Sequence, residues 1–597
     1  MKRAFLSTFV AALLCTPALA AQQATTPQTA PNPHPGTNLV VVNVVVTDAR
    51  HNPVHNLTKA DSGVLENGQP QAIESFAEHH VWEAAAPLPQ PPRFPPGTFT
   101  NYTNAPLSGA LDILLLDTLN TPMSAQADVR RQILDYLKQV HPGTRMAIFG
   151  LTSRLILLQG FDSDPELLSD VLNGKKGQPN TSVPKTDQVN GSNPGEDNPT
   201  KDMPQDVDGD IVDALGNAPS ATLMAANFKQ FQTEMQSFLL QTRARYTLDA
   251  LNQLARSLSG LPGRKNLIWF SGSFPINILP DGNLQNPFGA VASAEDEFRE
   301  TVDLLSQSQV AVYPIDVRGP AVSPMRDSNE HSTMLSMAEA TGGQAFTNLN
   351  GLKDAVEKAI DAGSNYYTLT YSPASQKWNG EYRKIQIEMA RPNLTLAYRR
   401  GYFADDPIAP VEHGEPAAAY GPPPYNAIDA AAMRGGPDPT QVIFTASIAP
   451  TSAEPEPGLA PRNKANEKTR GPFRRYAVQI GIEAQDLACP ATPEGMHKCA
   501  LQVKTIVYDE QGTSMNSAEG ELQTNFTADE YGNVLRSGLH FRQDISVPVS
   551  GESFLRIAIR DQTTDKVGAL EVSVADIKNL PAPTTQAQGK NQPDNQN

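Results

Sequence analysis

The chain has 597 residues and a formal net charge of −17, with 64 acidic against 47 basic side chains. That length exceeds what one hydrophobic core organises, so three or four domains are expected. The acidic balance and the lack of any basic cluster argue against DNA or RNA as a partner and mainly signify solubility.

The N-terminus reads as an export signal. Lys2 and Arg3 precede a short apolar run over 5–14, and Ala18-Leu19-Ala20 offers small residues at the cleavage positions, giving a signal peptide over 1–20. The run is shorter than the roughly 20 residues a membrane span needs, and no later segment is long and apolar enough. A secreted or periplasmic protein without an integral membrane segment is expected. Cys15 raises the question of lipid attachment, but Leu13-Leu14 puts bulk where such signals want a small residue. Beyond the signal only Cys489 and Cys499 remain. An even pair in an exported chain reads as a disulfide closing a short loop.

Residues 21–37, rich in Gln, Thr, Pro and Ala, read as a disordered leader. A β-branched run over 39–47 opens a small β-module at 38–85, with further strands near 62–66 and 72–78 and an Asn67-Gly68 hairpin turn between them. A Pro-rich linker covers 86–109. From 110 the pattern alternates. The continuous apolar run over 111–116 predicts a strand buried on both faces. A helix over 125–140 gathers Val129, Ile133, Leu134, Leu137 and Val140 on one side. A strand over 145–151, an edge strand over 154–158 and a helix over 165–172 follow. A low-complexity insertion, 173–219, is too long for an ordinary connection. Helical sequence over 225–259, broken in two, then leads to strands at 266–270 and 310–315 and a short one at 344–346, with helices at 293–307, 332–341 and 352–362 between and after them. This order predicts an α/β domain over 110–365 with a doubly wound, mainly parallel sheet. Period-two strands at 366–371, 382–389 and 394–398 form a β-strand extension over 366–403. A second linker, 404–438, precedes a C-terminal β-sandwich over 439–580, and 581–597 reads as a disordered tail.

The first strand of the α/β segment ends in Asp117-Thr118-Leu119-Asn120-Thr121. Open α/β sheets bind ligands at the carboxyl ends of their strands, so this is where chemistry is sought. Here the sequence resembles the von Willebrand factor A family, and more closely the acidobacterial VWFA-related group of exported proteins. The resemblance spans roughly 38–403. It includes Val54-His55-Asn56-Leu57-Thr58-Lys59-Ala60-Asp61, Leu65-Glu66-Asn67-Gly68-Gln69-Pro70-Gln71 and Tyr398-Arg399-Arg400-Gly401-Tyr402-Phe403. It implies a metal-ion-dependent adhesion site: magnesium on Asp-x-Ser-x-Ser, completed by a Thr and an Asp from later loops, with a partner's carboxylate in the open position. On that pattern Asp117 and Thr121 are the candidate metal residues of a degenerate site holding at most a weakly bound divalent cation. Leu119 cannot ligate, and Ser271-Gly272-Ser273 stands where the family offers an Asp. The alternative is that Asp117 fixes its own loop by accepting hydrogen bonds from Thr121 or backbone amides.

Other constellations are weaker. Asp202, Asp206, Asp208 and Asp210 lack the ligand register of a calcium loop and read as a solvated acidic segment. His51 with His55, and His79 with His80, are close in sequence but sit on no evident helix, so they read as exposed histidines. Ser271 and Ser273 follow a strand without a nucleophile elbow, and no His-Glu-x-x-His occurs. Asp316-Val317-Arg318 reads as a structural ion pair at the top of the sheet. The expectation is a non-enzymatic adhesion-type protein that binds a protein partner. An extracytoplasmic hydrolase acting on envelope or exported polymer, or a non-binding scaffold, are the alternatives.

Overall fold

The computed structural model describes residues 39–80 (except 51), 94–102, 110–140, 144–173, 219–272 (except 262), 289–318, 324–347, 351–404, 427–451 and 454–581 (except 511). The expected signal peptide, leader and tail fall outside these residues, as do nearly all of the 173–219 insertion with its aspartates, and His51 and Ser273.

In chain order, β1 (Val40–Thr47), β2 (Ser62–Glu66), β3 (Gln69–Gln71) and β4 (Ile73–His79) come first, then a short β5 (Thr98–Thr100). The α/β segment holds β6 (Leu111–Asp117), α1 (Met123–Leu137), β7 (Met146–Leu151), β8 (Leu155–Asp162), α2 (Pro165–Leu172), α3 (Pro219–Leu258), β9 (Lys265–Ser271), α4 (Gly289–Gln307), β10 (Val310–Asp316), α5 (Pro324–Thr341) and α6 (Leu352–Ser364). Next come β11 (Tyr366–Tyr371), β12 (Tyr382–Met389), β13 (Thr395–Ala397) and β14 (Gly401–Phe403). The C-terminal part runs from α7 (Ala427–Ala431) through β15 (Phe444–Pro450), β16 (Asn463–Ala465), β17 (Phe473–Ile482), β18 (His497–Asp509), β19 (Ser514–Phe526), α8 (Ala528–Ser537), β20 (Leu539–Pro548), β21 (Ser553–Asp561) and β22 (Val567–Ser573) to α9 (Val574–Ile577).

The molecule is mixed α/β. Its central sheet has the order β10-β9-β6-β7-β8. The pairs β10–β9, β9–β6 and β6–β7 are parallel, and β8 closes one edge antiparallel. Alternation along the strands explains the two layers. Ile113, Leu115, Leu267, Trp269 and Val312 face α3, α4 and α5 through Leu251, Leu254, Leu305 and Met337. Leu114, Ile148, Ile268, Phe270 and Tyr313 face α1, α2 and α6 through Val129, Ile133, Leu168 and Ala355. Burying such a side chain contributes about 1.5–3 kcal/mol, which is why these strands are apolar on both faces. The helix expected in two pieces over 225–259 is one continuous element, α3, and the strand expected at 344–346 is reduced to a bridge between Phe346 and Ile315.

The flanking strands pair differently from the expected division. The 38–85 module and the 366–403 extension form one unit: β1 lies between β11 and β13, β4 pairs with β11, and β12 pairs with β2. Two four-stranded sheets, β13-β1-β11-β4 and β14-β12-β2-β3, enclose a core of Val42, Val44, Val64, Tyr367, Leu369, Ile385 and Ile387. The α/β domain is thus inserted between two adjacent strands of a β-sandwich. The expected linker 86–109 contains β5, which is the edge strand of the C-terminal sheet β20-β17-β15-β5. Within the expected linker 404–438, α7 packs Ala427, Ile428 and Ala431 against Tyr508, Ala558 and Ala569. Sequence periodicity shows which face a strand buries, not which distant strand lies beside it, so both boundaries were misplaced. The C-terminal sheets, the one with β5 and β16-β19-β18-β21-β22, pack face to face around Phe444, Val478, Leu501 and Ile557.

Candidate functional site

The carboxyl ends of β6, β9 and β10 bring Asp117, Ser271 and Asp316 to one edge of the central sheet, with Ser271 in register with Asp316. Asp117 is 3% exposed, and Asn120 and Ser271 are sealed from solvent. The Asp117 carboxylate accepts four hydrogen bonds. Oδ1 takes the Asn120 backbone N–H (2.9 Å), while Oδ2 takes Asn120 Nδ2 (2.9 Å), Trp269 Nε1 (3.1 Å) and Ser271 Oγ (2.8 Å). Burial pushes the Asp117 carboxyl above its ordinary range, and the hydrogen bonds from Asn120, Ser271 and Trp269 pull against that shift.

Asn120 extends the network inward. Its Nδ2 also donates to Thr247 Oγ1 (2.8 Å), and its Oδ1 accepts from Arg243 Nε (3.3 Å), both on α3. Thr121 does not share the task expected of it with Asp117. Its hydroxyl accepts the Gly272 backbone N–H (3.0 Å), stitching the loop after β6 to the end of β9. That contact needs glycine: a Cβ at 272 would stand 2.7 Å from Pro122 Cδ and 3.2 Å from Asn120 O.

The donor set does not fit the magnesium ion that the family resemblance implies. A hard cation of this size wants six oxygens, and Asp117 is the one carboxylate in this network. An indole N–H and an amide N–H occupy the directions a cation would need. Leu119 is buried in the core and contributes nothing polar. The alternative reading, a carboxylate that fixes its own loop, matches the geometry, with the Asn120 amides as donors rather than Thr121. The sequence pointed to Thr121 or backbone amides as the donors, and the Asn120 side chain carried no separate signal. Trp269 and Ser271 come from a strand about 150 residues later, and only the sheet order places them here.

Asp316 sits two strands away. Its oxygens accept from Arg318 N (3.0 Å), Nε (2.9 Å) and Nη2 (2.7 Å), and His331 Nε2 of α5 lies 2.9 Å from Oδ2. Burial would raise this carboxyl, but the bonds from Arg318 and His331 hold it below the usual carboxylate range. The carboxylate–imidazole contact is one half of a hydrolytic arrangement. Among the described residues Ser271 does not supply the serine half, because its Oγ donates to Asp117 and is closed to solvent. Around this edge the surface presents the Arg318 side chain, 27% exposed, and Met123, 46% exposed, at the start of α1.

In the C-terminal sandwich Cys489 and Cys499 form the expected disulfide across a separation of 10 residues. Among the described residues no helix is long and apolar enough to cross a membrane.

No family model and no curated protein matches the chain. Solved structures that align with it include an aerotolerance-related membrane protein from Bacteroides fragilis NCTC 9343 carrying multiple mutations to serines, at 11% identity and TM-score 0.23, over 42% of this chain and 99% of that one. The conserved hypothetical protein BatB from Bacteroides thetaiotaomicron aligns at 12% identity and TM-score 0.22, over 42% and 97%. An uncharacterised membrane-spanning protein from Vibrio fischeri aligns at 14% identity and TM-score 0.11, over 42% and 98%.

Proposed function

We propose that the chain is an extracytoplasmic interaction protein of the von Willebrand factor A type, and that it binds a protein partner through the carboxyl edge of its central sheet without a metal ion. The observation that carries this reading is the division of labour at that edge. Asp117, Asn120, Thr121 and Ser271 spend their polar atoms within the fold, on one another and on Thr247, Arg243 and Gly272, while Met123 and the Asp316-anchored Arg318 are partly exposed at the surface. A rigid, self-satisfied base carrying an exposed methionine and an oriented guanidinium suits recognition, since Met and Arg are enriched where proteins meet. The same base suits hydrolysis poorly, because its serine is closed off and its carboxylate is fully engaged. Export rests on the N-terminal signal pattern.

The test is capture of partners from extracytoplasmic extract by the wild-type chain and by Met123→Asp and Arg318→Ala variants whose melting temperatures match it. The reading expects a specific partner that is lost or weakened at least about tenfold in both variants, as for central interface residues. Partners captured equally by all three proteins, or turnover of an envelope polymer by the wild-type chain, would overturn it.

A further inference from the structure

The N-terminal sandwich gathers three side chains that are separated or differently oriented in sequence. Glu78 and His80 are two residues apart at the end of β4, so the alternation of an extended chain turns both to one side. His79, between them, turns the other way, stacking on Tyr366 with ring centroids 4.5 Å apart and placing Nε2 3.0 Å from Thr368 Oγ1. His55 arrives from the loop after β1. That loop is fixed at two points. The Tyr367 hydroxyl donates to Val54 O (2.8 Å) and accepts from Leu57 N (3.3 Å). Asn56, in the left-handed region at φ 59°, aims its N–H at the Glu78 oxygens (3.2 and 3.0 Å).

As a result His55 Nδ1 lies 3.0 Å and His80 Nδ1 3.4 Å from the same oxygen, Glu78 Oε1. The two imidazole rings are 5.3 Å apart, and one donor atom from each of the three residues falls within 4.8 Å of the others.

We propose that His55, Glu78 and His80 form a binding site for a late first-row divalent transition metal, zinc foremost. Bonds of about 2.0–2.2 Å arranged tetrahedrally separate neighbouring donor atoms by roughly 3.3 Å, and the two contacts to Glu78 Oε1 fall on either side of that value. Two imidazoles and one carboxylate are a set zinc accepts with a fourth position left open. The nitrogen donors disfavour magnesium and calcium.

The surroundings suit the role. Glu78 is 17% exposed and held by the Asn56 N–H, the kind of outer hydrogen bond that orients a metal-binding carboxylate. His55 and His80 are 44% and 34% exposed, so an ion can enter and a water or a partner's side chain can fill the open position. On loading, each imidazole presents Nδ1 as its lone-pair nitrogen and carries its proton on Nε2.

The experiment is calorimetric titration of Zn²⁺ into the untagged, chelator-treated full chain, repeated with Co²⁺ and read by visible absorption. The expected result is one saturable equivalent of zinc and the ligand-field bands of tetrahedral cobalt. His55→Ala, His80→Ala and Glu78→Gln should each weaken zinc binding by at least about tenfold. His540→Ala, at an exposed histidine elsewhere, should leave it unchanged. Since Glu78 also anchors the loop, His80→Ala decides the matter, with circular dichroism confirming the fold. A zinc equivalent unaffected by His80→Ala, or no saturable binding by the wild-type chain, overturns the proposal.

Discussion

Replacing Asp117 by alanine separates a structural network from a metal site. The substitution removes the acceptor for four hydrogen bonds. Asn120 Nδ2 keeps Thr247 Oγ1 as a second acceptor, and a serine hydroxyl can rotate to another. The Asn120 backbone N–H and the Trp269 indole N–H lose this acceptor in the buried interior. The Asn120 N–H costs about 1–3 kcal/mol when its acceptor is removed, the lost indole and hydroxyl bonds about 0.5–1.5 kcal/mol each, and the small cavity adds to that, so the expected loss is about 3–5 kcal/mol. For a domain of this size that corresponds to a fall of roughly 10 °C in its melting temperature. Asp117→Asn keeps one acceptor oxygen and should fall between the two.

Several domains unfold in this chain, so the assay is scanning calorimetry with tryptophan fluorescence assigning the transition that exposes Trp269. Each protein is measured with excess magnesium and with chelator. A bound ion at a hundred times its Kd would add about 2.7 kcal/mol to the wild type; the network requires no difference. A wild-type transition that drops on chelation, or an Asp117→Ala transition that does not move, would refute the reasoning.

Burial raises the Asp112 carboxyl from 3.8 to about 7, with Asn266 donating to it and Asp361 repelling its charge. The folded state therefore holds that proton more tightly than the unfolded chain. Stability from this group is full below pH 4, falls as pH rises toward 7 and then levels. Asp112→Asn should melt with the wild type at pH 4 and above it at pH 8, by up to about 4 kcal/mol, and a variant no more stable at pH 8 would contradict the assignment. Converting Cys489 and Cys499 to serine should lower the C-terminal transition by about 2–3 kcal/mol, the chain-entropy value for so short a loop, and reductant should do the same to the wild type alone. In the N-terminal sandwich, Glu66 accepts from Tyr371 and Tyr402 (both 2.8 Å) and pairs with Arg383 at 3.3 Å, each charged side chain being 5% exposed. Glu66→Leu strands that guanidinium and should cost about 3–5 kcal/mol, seen in the transition reported by Trp378, over which Arg383 lies at 5.1 Å; an unchanged transition would exclude the pairing.

The sequence disclosed the elements better than their neighbours. Leu111–Asp117, Lys265–Ser271 and Val310–Asp316 are readable because strands covered on both faces keep an unbroken apolar stretch, here 113–116, 267–270 and 310–315. Tyr382–Met389 follows period two because it shows one face to solvent, whereas Tyr366–Tyr371, between β1 and β4, is buried almost throughout. Thr98–Thr100 was invisible, since a three-residue edge strand in a proline-rich stretch carries too short a pattern. The site divides in the same way. Asp117 was legible from its place at a strand end, while the Asn120 side chain was not singled out. Trp269 and Ser271 required the sheet order, and His55 could be joined to Glu78 and His80 only through the left-handed turn at Asn56.

The interleaved pairing of the two sandwiches imposes a timetable on folding. The central α/β sheet is assembled wholly from segments between Leu111 and Asp316, so it can close while the rest of the chain is still emerging. The valine-rich β1 and its companion β4 must wait for β11, with partners such as Asn43 and Thr368 separated by 325 positions, and Thr98 waits 349 positions for Ser447. Closing such distant pairs is slow, and the waiting strands offer bare hydrogen-bonding edges in the meantime. Synthesis from the N-terminus would therefore leave Val40–Val46, in the longer and more apolar of the waiting strands β1 and β5, bare to passing chains until β11 arrives. Holding that one segment until residue 371 has emerged is the specific service a chaperone could render this protein.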